Sequence, residues 1–539
     1  MLANCEPRVL CKTVLLHPRT GEQIRIDVEL SFVLTREGKE RHITHIVDMA
    51  KLDKMKLSEI DVDLYTASDK NFVAYIKSLV PEAPTAEKYS IDSLGWVNID
   101  GHYFYNVGNR FIGDTENISL QIACDDMDIS LDANANITEE DAFESVWQIF
   151  GECGMKLRLV MIYVFGSVLR QLFKDADYVP RTTVYLVAKT QSGKTTFVQG
   201  IGCPFVSDNG DIPNYTRVSS TKAVTEEAIS RFKDMLYIYD DVYVDDKRIR
   251  TAIEERVKGI LRNSADNAPR RKIGADNQVN AQLLLIGENL ISGISNLGRL
   301  LIIHLPDKLS STLLSTVHQY RGHIGAFYSN YIDWIANNYN SVVDMIKCEL
   351  ERFYRIQKGS ISRDFDTQFF MMCCTKIFCF YAQDKGFITE QQKENTVKGI
   401  NKDLVVVLEE NHQIFAEAKL RDEANKAANY SKILLTCLEE DYLCLSKKGS
   451  DFFEHSCKGE KCYFIRCEYF SGILFQYFRR KVSAKALADY FRKRDIGIFE
   501  NNGRLRQYKP NRKRYLVLKK KALRNDARDN LDIFDALFG

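Results

Sequence analysis

Hydrophobic and polar positions fall into three kinds of pattern along the chain. Near the N-terminus they alternate with a period of two. Residues 9–16 and 24–34 read as strands, with Thr20-Gly21 turning between them. Helical spacing over 67–79 follows, stopped by Pro81 and Pro84. Leu94-Gly95-Trp96-Val97 and Tyr103-Phe104-Tyr105 flank Asp100-Gly101, which is a hairpin pattern. This first part is mixed α+β and ends near the polar stretch 132–139.

The middle of the chain changes period. Helical spacing covers 141–172 and Pro180 closes it. The apolar stretch 159–169 is roughly half the length of a membrane span, so it reads as a buried helix. Continuous apolar runs then recur at 184–187, 235–239, 283–286 and 300–305, separated by helical stretches. Runs without alternation are strands buried on both faces. The pattern therefore predicts an α/β core, a parallel sheet with helices on both sides. Helical spacing dominates from 310 to 438. In the last hundred residues 470–480 and 483–494 read as helices, the second with Ser483 as N-cap. Residues 496–499, the turn Asn501-Asn502-Gly503 and residues 515–518 then read as a β-wing, so a winged helix is expected.

Composition narrows the class. With 539 residues, 45% hydrophobic and 27% charged, the chain has the make-up of a soluble globular protein of about three or four domains. A net charge of +1 excludes a global field toward nucleic acid, so any DNA contact must come from local patches. One such patch runs from Arg479 to Lys521, with sixteen cations against Asp489, Asp495 and Glu500. Met1-Leu2-Ala3-Asn4-Cys5-Glu6-Pro7 lacks a signal pattern, and the fourteen cysteines then imply reduced thiols in a cytosol. His455, Cys457, Cys462 and Cys467 are zinc-ligand types without a CxxC knuckle. Alternation around them favours a strand with buried cysteines.

The candidate chemistry centres on one stretch. The apolar run 184–187 leads into Ala188-Lys189-Thr190-Gln191-Ser192-Gly193-Lys194-Thr195-Thr196 and then an amphipathic segment, the strand, loop and helix order of a P-loop. Its backbone N–H groups would cradle the phosphates of ATP, Lys194 would neutralise them, and the Thr195 hydroxyl would hold Mg²⁺. Ala188 stands where the first glycine is usual. Asp240 ends the next buried strand, where a carboxylate would hold Mg²⁺ through water. Asp241 would polarise the attacking water, or else merely cap the strand with slow hydrolysis. Asn289, at the tip of the following strand, suits a sensor of the γ-phosphate. Arg299, just before the fourth strand, suits a finger reaching a neighbouring subunit's nucleotide, or else a structural arginine. Arg321, in Tyr320-Arg321-Gly322-His323, is a weaker nucleotide contact. Between Asp241 and Asn289, turn residues followed by Arg270, Arg271 and Lys272 read as a hairpin that would grip single-stranded DNA, or as a solvated loop.

The ordered set Lys194-Thr195, Asp240-Asp241, Asn289 and Arg299 resembles an AAA+ ATPase of the superfamily 3 kind. Ser93-Leu94-Gly95-Trp96, the segment 221–228 and Tyr320-Arg321-Gly322-His323-Ile324-Gly325 are similar to replicative helicases of plasmids, phages and integrative or cassette mobile elements. The resemblance covers residues 60–335 and departs from the family at Ala188 and at Asp241, where Glu is usual. It implies a self-loading, MCM-like, homo-hexameric helicase acting on single-stranded and forked DNA in a bacterial cytoplasm. The sequence carries no primase signature, so a fused primase is not expected, and the short apolar stretch leaves no expectation of a membrane partner. The expected division is an N-terminal α+β domain for DNA binding or oligomerisation (1–135), an AAA+ core (136–345), a helical lid (346–430), a winged helix (431–524) and an acidic-apolar tail (525–539). Arg492, Lys493, Arg512 and Lys513 would be the winged helix's DNA contacts. Asn530-Leu531-Asp532-Ile533-Phe534 resembles the peptide by which bacterial replication proteins dock on the sliding clamp, or is simply a packing tail. An initiator or loader using ATP as an assembly switch is the alternative. A scaffold ATPase indifferent to DNA is a third class, which the cations argue against.

Overall fold

Alternation at the N-terminus builds a five-stranded sheet over one helix. The computed structural model describes residues 3–36, 39–122, 129–132, 136–207, 210–217, 229–242, 253–261, 270–272, 275–277, 280–291, 294–305, 308–356, 363–426, 430–439, 443, 445, 449–478, 482–500, 504–508 and 510–528. The segments 221–228, 262–269, 501–503 and 530–534, on which parts of the sequence reading rest, lie outside these residues. The chain divides into two compact units, Met1–Phe415 and Ala416–Gly539.

In the first unit the strands run in the order Lys39–Asp48, Gln23–Arg36, Glu6–Leu16, Thr85–Ile91 and Leu120–Ile122. The first three pair antiparallel, the others parallel. Val28, Leu30, Phe32 and Leu34 share one face and pack on Phe72, Val73 and Ile76 of the helix Asp69–Leu79. Ser68 caps that helix by accepting from the Asn71 N–H. The strand Lys39–Asp48 escapes the sequence pattern because Lys39, Glu40, Arg41 and His42 are polar, as suits a sheet edge.

The hairpin Gly95–Ile99/His102–Asn106 turns on Asp100 (φ 52°) and Gly101 (φ 88°), the paired left-handed residues that a two-residue hairpin loop requires. This hairpin docks on the segment ahead of the strand Leu236–Asp240. The Trp96 N–H donates to Asp234 Oδ2 (3.2 Å), the Trp96 indole N–H to the Val168 carbonyl (2.6 Å) and the Tyr105 hydroxyl to the Asp234 carbonyl (2.7 Å). Asp234 is fully buried, and desolvation pushes its carboxyl pKa up against the opposing pull of Lys233 and Lys174.

The apolar runs form one five-stranded sheet in the order Tyr215–Arg217, Leu236–Asp240, Gln282–Gly287, Thr183–Val187 and Leu300–His304. Every neighbouring pair is parallel. The four long strands are buried along their lengths, apart from exposed His304, which is why they read as unbroken apolar runs. The helix Met155–Phe165 covers the sheet and is buried from Leu159 to Phe165. Ser311–Gln319, Arg321–Asn337, Tyr339–Ile356, Arg363–Asp384 and Glu390–Lys426 complete the helical part. Among the described residues no helix is long and apolar enough to cross a membrane.

In the second unit the strands Phe452–Cys457, Glu460–Ile465, Arg514–Lys519 and Gly497–Ile498 lie in that order, and Arg506–Gln507 also pairs with Arg514–Lys519. The helices Cys467–Phe478 and Ala484–Lys493 pack on this sheet through Phe470, Leu474, Leu487 and Phe491. Ser483 caps the second of them by accepting from the Ala486 N–H. Cys457 and Cys462 are buried strand residues, and Cys467 opens the helix after them.

Gly95 and Gly101 separate two costs of a side chain. Both have positive φ, but a Cβ at Gly101 meets open space, whereas at Gly95 it would stand 2.4 Å from the Lys233 carbonyl oxygen. Gly101→Ala should cost about 1–2 kcal/mol from backbone strain alone. Gly95→Ala adds a steric term of ~1–3 kcal/mol. Thermal melting of both variants checks this, and equal melting temperatures would remove the docking role of Gly95.

Candidate phosphate-binding site

The chain leaves Thr183–Val187 for the far edge strand Tyr215–Arg217 and returns through Leu236–Asp240 and Gln282–Gly287. It then crosses to the other side of its starting strand for Leu300–His304. The connections leaving the adjacent parallel strands Thr183–Val187 and Gln282–Gly287 thus run in opposite directions across the sheet, a reversal of strand order that marks a crevice at their carboxyl ends. The loop 188–193 fills it.

Ala188 is buried, and its N–H extends the ladder to the Gly287 carbonyl (3.1 Å). It needs no glycine, because the left-handed residues of the loop are Gln191 (φ 58°) and Gly193 (φ 85°). Gly193 is favoured by its positive φ, and a Cβ there would also press on Leu314 Cδ1 at 2.7 Å. The helix Lys194–Gly202 starts directly after Gly193 with no side-chain cap. Its first N–H groups and its dipole are therefore turned toward the crevice, an arrangement suited to a phosphate chain. The buried Lys194 side chain donates to the Lys189 carbonyl across the loop (3.3 Å).

Thr195 and Asp240 meet, although 45 positions apart in the chain: the Thr195 hydroxyl donates to Asp240 Oδ2 (3.0 Å). The same oxygen accepts from the Tyr215 hydroxyl (2.8 Å), and Asp240 Oδ1 accepts from the Asp241 N–H (2.8 Å). A hydroxyl beside a buried carboxylate is a hard-oxygen pair that fits Mg²⁺, and these two residues would hold it. Asp241 turns left-handed (φ 58°) and is exposed at the strand end. Partial desolvation, with the charge of Asp240 beside it, holds its carboxyl above the usual carboxylate range, while Arg217 and Lys194 oppose that shift. Burial raises the Tyr215 phenol to about 12, so it remains a donor at neutral pH.

At the tip of Gln282–Gly287 the side chain that reaches the loop is Glu288, which accepts from the Thr190 hydroxyl. Asn289 is exposed, and its backbone carbonyl accepts from Tyr185. Arg299 lies outside the crevice. Leu300 pairs with Thr183, so Arg299 stands at the amino ends of the strands. About 16 Å of strand separates it from the loop of its own chain. There it lines a cavity of about 480 Å³ with Arg181, Asp364, Asp366 and His412. Arg321 ion-pairs with Asp132 (3.5 Å). Arg270, Arg271 and Lys272 form a strand paired antiparallel with Ala275–Asn277, so the paired arms lie further along the chain than the turn residues before them suggest.

Several cations of the C-terminal unit are engaged locally. Arg492 pairs with Asp489 (2.6 Å) and lies over Phe499, whereas Arg494 lies over Tyr490 and pairs with Asp526 (3.5 Å). Lys493, Arg512 and Lys513 are exposed.

Sequence reasoning missed Tyr215 and Glu288. The only signal for Glu288 was an acidic residue directly after a buried strand, and Tyr215–Arg217 is too short to show a pattern.

No protein-family model and no curated protein matches the chain. Among solved structures, that of "SCCmec type IV Cch - active helicase" shares the fold along nearly the whole length, at 12% identity and a TM-score of 0.54, covering 96% of this chain and 94% of that one. "The X-ray structure of JCV Helicase" matches at 10% identity over 43% of this chain and 72% of that one, but its TM-score of 0.22 carries no weight. The chain therefore has the fold of a helicase.

A hydrogen bond to a charged group contributes about 1.5–3 kcal/mol, so if the Tyr215 donor holds Asp240 in place for Mg²⁺, removing it should raise the Mg²⁺ concentration needed for half-maximal nucleotide binding by about ten- to a hundredfold. Titrating Tyr215→Phe with Mg²⁺ and a fluorescent ATP analogue tests this. An unshifted midpoint would detach Tyr215 from the site.

Proposed function

We propose that the chain is an ATP-dependent, ring-forming DNA helicase that unwinds duplex DNA for the replication of a mobile genetic element. The observation that carries the reading is the convergence of Lys194, Thr195 and Asp240 on a loop that turns through a left-handed glycine into an uncapped helix start. In this reading the loop 188–196 is a P-loop, Lys194 neutralises the β- and γ-phosphates, and Thr195 and Asp240 hold Mg²⁺. The carboxylate of Asp241 and the side chain of Asn289 face the attacking water.

Arg299 serves a neighbouring copy. Its place at the amino ends of the strands keeps it from the nucleotide of its own chain, which supports a role toward the nucleotide of a rotated second subunit. The ring in this reading is a homo-hexamer. Arg270, Arg271 and Lys272 would then track the phosphates of single-stranded DNA, and Arg512 and Lys513 of a winged helix would dock duplex backbone. The fold shared with a protein described as an active helicase supports this reading.

A second reading is an initiator or loader that binds ATP as an assembly switch and hydrolyses it weakly. It is favoured by Asp241, one methylene shorter than Glu and held in a left-handed turn.

ATP hydrolysis with and without single-stranded DNA, beside unwinding of forks with a 3′ or a 5′ tail, separates the two. A helicase gives DNA-stimulated turnover with strand separation; a loader gives DNA-bound oligomers with little turnover. Lys194→Ala should reduce hydrolysis to background, and wild-type turnover in that variant would remove the P-loop. Arg299→Ala should retain nucleotide binding and lose at least about a hundredfold in turnover. Mixing it with Lys194→Ala should restore activity at mixed interfaces, and no recovery would refute action between subunits.

A further inference from the structure

Asp241 has the position of a water-polarising residue but is one methylene shorter than Glu, and the structure offers a second carboxylate. Glu288 follows the strand Gln282–Gly287, which lies between the strand leading into the loop and the strand ending in Asp240. Its backbone is fixed from both sides: the Ala188 N–H donates to the Gly287 carbonyl (3.1 Å) and the Val242 N–H to the Ile286 carbonyl (3.0 Å). Gly287 has no room for a side chain, because Tyr185 passes against it and a Cβ would stand 2.3 Å from the phenol oxygen. The next side chain, Glu288, is the one directed over the loop, and it meets Thr190. Its charge also acts on Asp241. Glu288 is exposed, so it is free to swing once nucleotide displaces the Thr190 contact.

We infer that Glu288 is the catalytic carboxylate that orders and deprotonates the attacking water, with the Thr190 hydrogen bond as its resting position. The inference rests on the ATPase reading above. In the step it serves, the water oxygen bonds to the γ-phosphorus while the bond from that phosphorus to the β,γ-bridging oxygen breaks, its electron pair leaving with ADP. The water proton passes to the Glu288 carboxylate and from there to solvent. ATP and water thus yield ADP, phosphate and a proton. A glutamate at the tip of the central strand supplies the methylene that Asp241 lacks, and Asp241 is left to orient the second face of the water.

The test compares Glu288→Gln, Glu288→Asp and Asp241→Asn with wild type and Lys194→Ala in full-length protein, measuring kcat for ATP and the Kd of a fluorescent ATP analogue. The inference expects Glu288→Gln to lose about 10²–10⁴-fold in kcat with Kd within threefold of wild type. Glu288→Asp should fall between them, and Asp241→Asn should lose less than Glu288→Gln. Glu288→Gln turning over within threefold of wild type overturns it, as does a loss that appears in Kd rather than kcat. Asp241→Asn losing more than Glu288→Gln also overturns it. Wild type and Lys194→Ala equally inactive would instead fail the ATPase reading itself.

Discussion

The parallel register of three strands decides which side chains of the core can share one edge of the sheet. Thr183–Val187 is hydrogen-bonded to Gln282–Gly287 on one side and to Leu300–His304 on the other, with all three pointing the same way. Their carboxyl ends therefore share one edge, which collects the loop 188–193, Asp240 on the next strand and Glu288. Their amino ends share the opposite edge, which collects Arg181 and Arg299. No side-chain rotation brings the two sets together, because a strand of this length separates them by about 16 Å. The sheet therefore keeps the phosphate-loop residues and the cavity beside Arg299 at opposite edges.

Much of this was legible in the sequence for a physical reason. Strands buried on both faces must be apolar at every position, so the four long core strands stood out as unbroken runs. Asp100-Gly101 was legible because few residues tolerate the left-handed backbone that its turn requires. Elements that satisfy their surroundings by position rather than composition stayed hidden. Lys39–Asp48 is a polar edge strand, and Tyr215–Arg217 is three residues long. The site divides in the same way. Lys194, Thr195 and Asp240 carry a spacing that the chemistry imposes. Tyr215 and Glu288 act through contacts 25 and 98 positions away in the chain, which no local pattern encodes.

The resemblance at Ser93-Leu94-Gly95-Trp96 also gains a physical content. These residues lie far from the phosphate loop in sequence and bear no reactive group. Gly95 lets the hairpin backbone come against Lys233, Trp96 satisfies one oxygen of the buried Asp234, and Lys233 returns a hydrogen bond to the Trp96 carbonyl (2.5 Å). Asp234 precedes the strand that ends in Asp240, and Tyr105 holds its carbonyl. A buried carboxylate is costly unless paired and hydrogen-bonded, so this joint tolerates few alternatives in its partners. It anchors the amino end of the strand whose carboxyl end carries Asp240 and Asp241.

The strand behind Arg299 needs a comparable anchor, since Leu300–His304 is a sheet edge and an edge leaves peptide groups unpaired. The side-chain amide of Asn411 supplies what a further strand would: Oδ1 accepts from the Ile302 N–H and Nδ2 donates to the Ile302 carbonyl, both at 2.7 Å. Lys156 takes the His304 carbonyl (2.9 Å) and pairs with Glu410 (2.7 Å), one residue before Asn411. One turn of the helix Glu390–Lys426 thus fixes both the middle and the end of the strand that begins at Arg299. Displacing that turn would break a bidentate backbone contact in the low-dielectric flank of the sheet, where unpaired peptide groups cost about 1–3 kcal/mol each. The strand that follows Arg299 is therefore held at its middle by a neutral amide more than a hundred positions away.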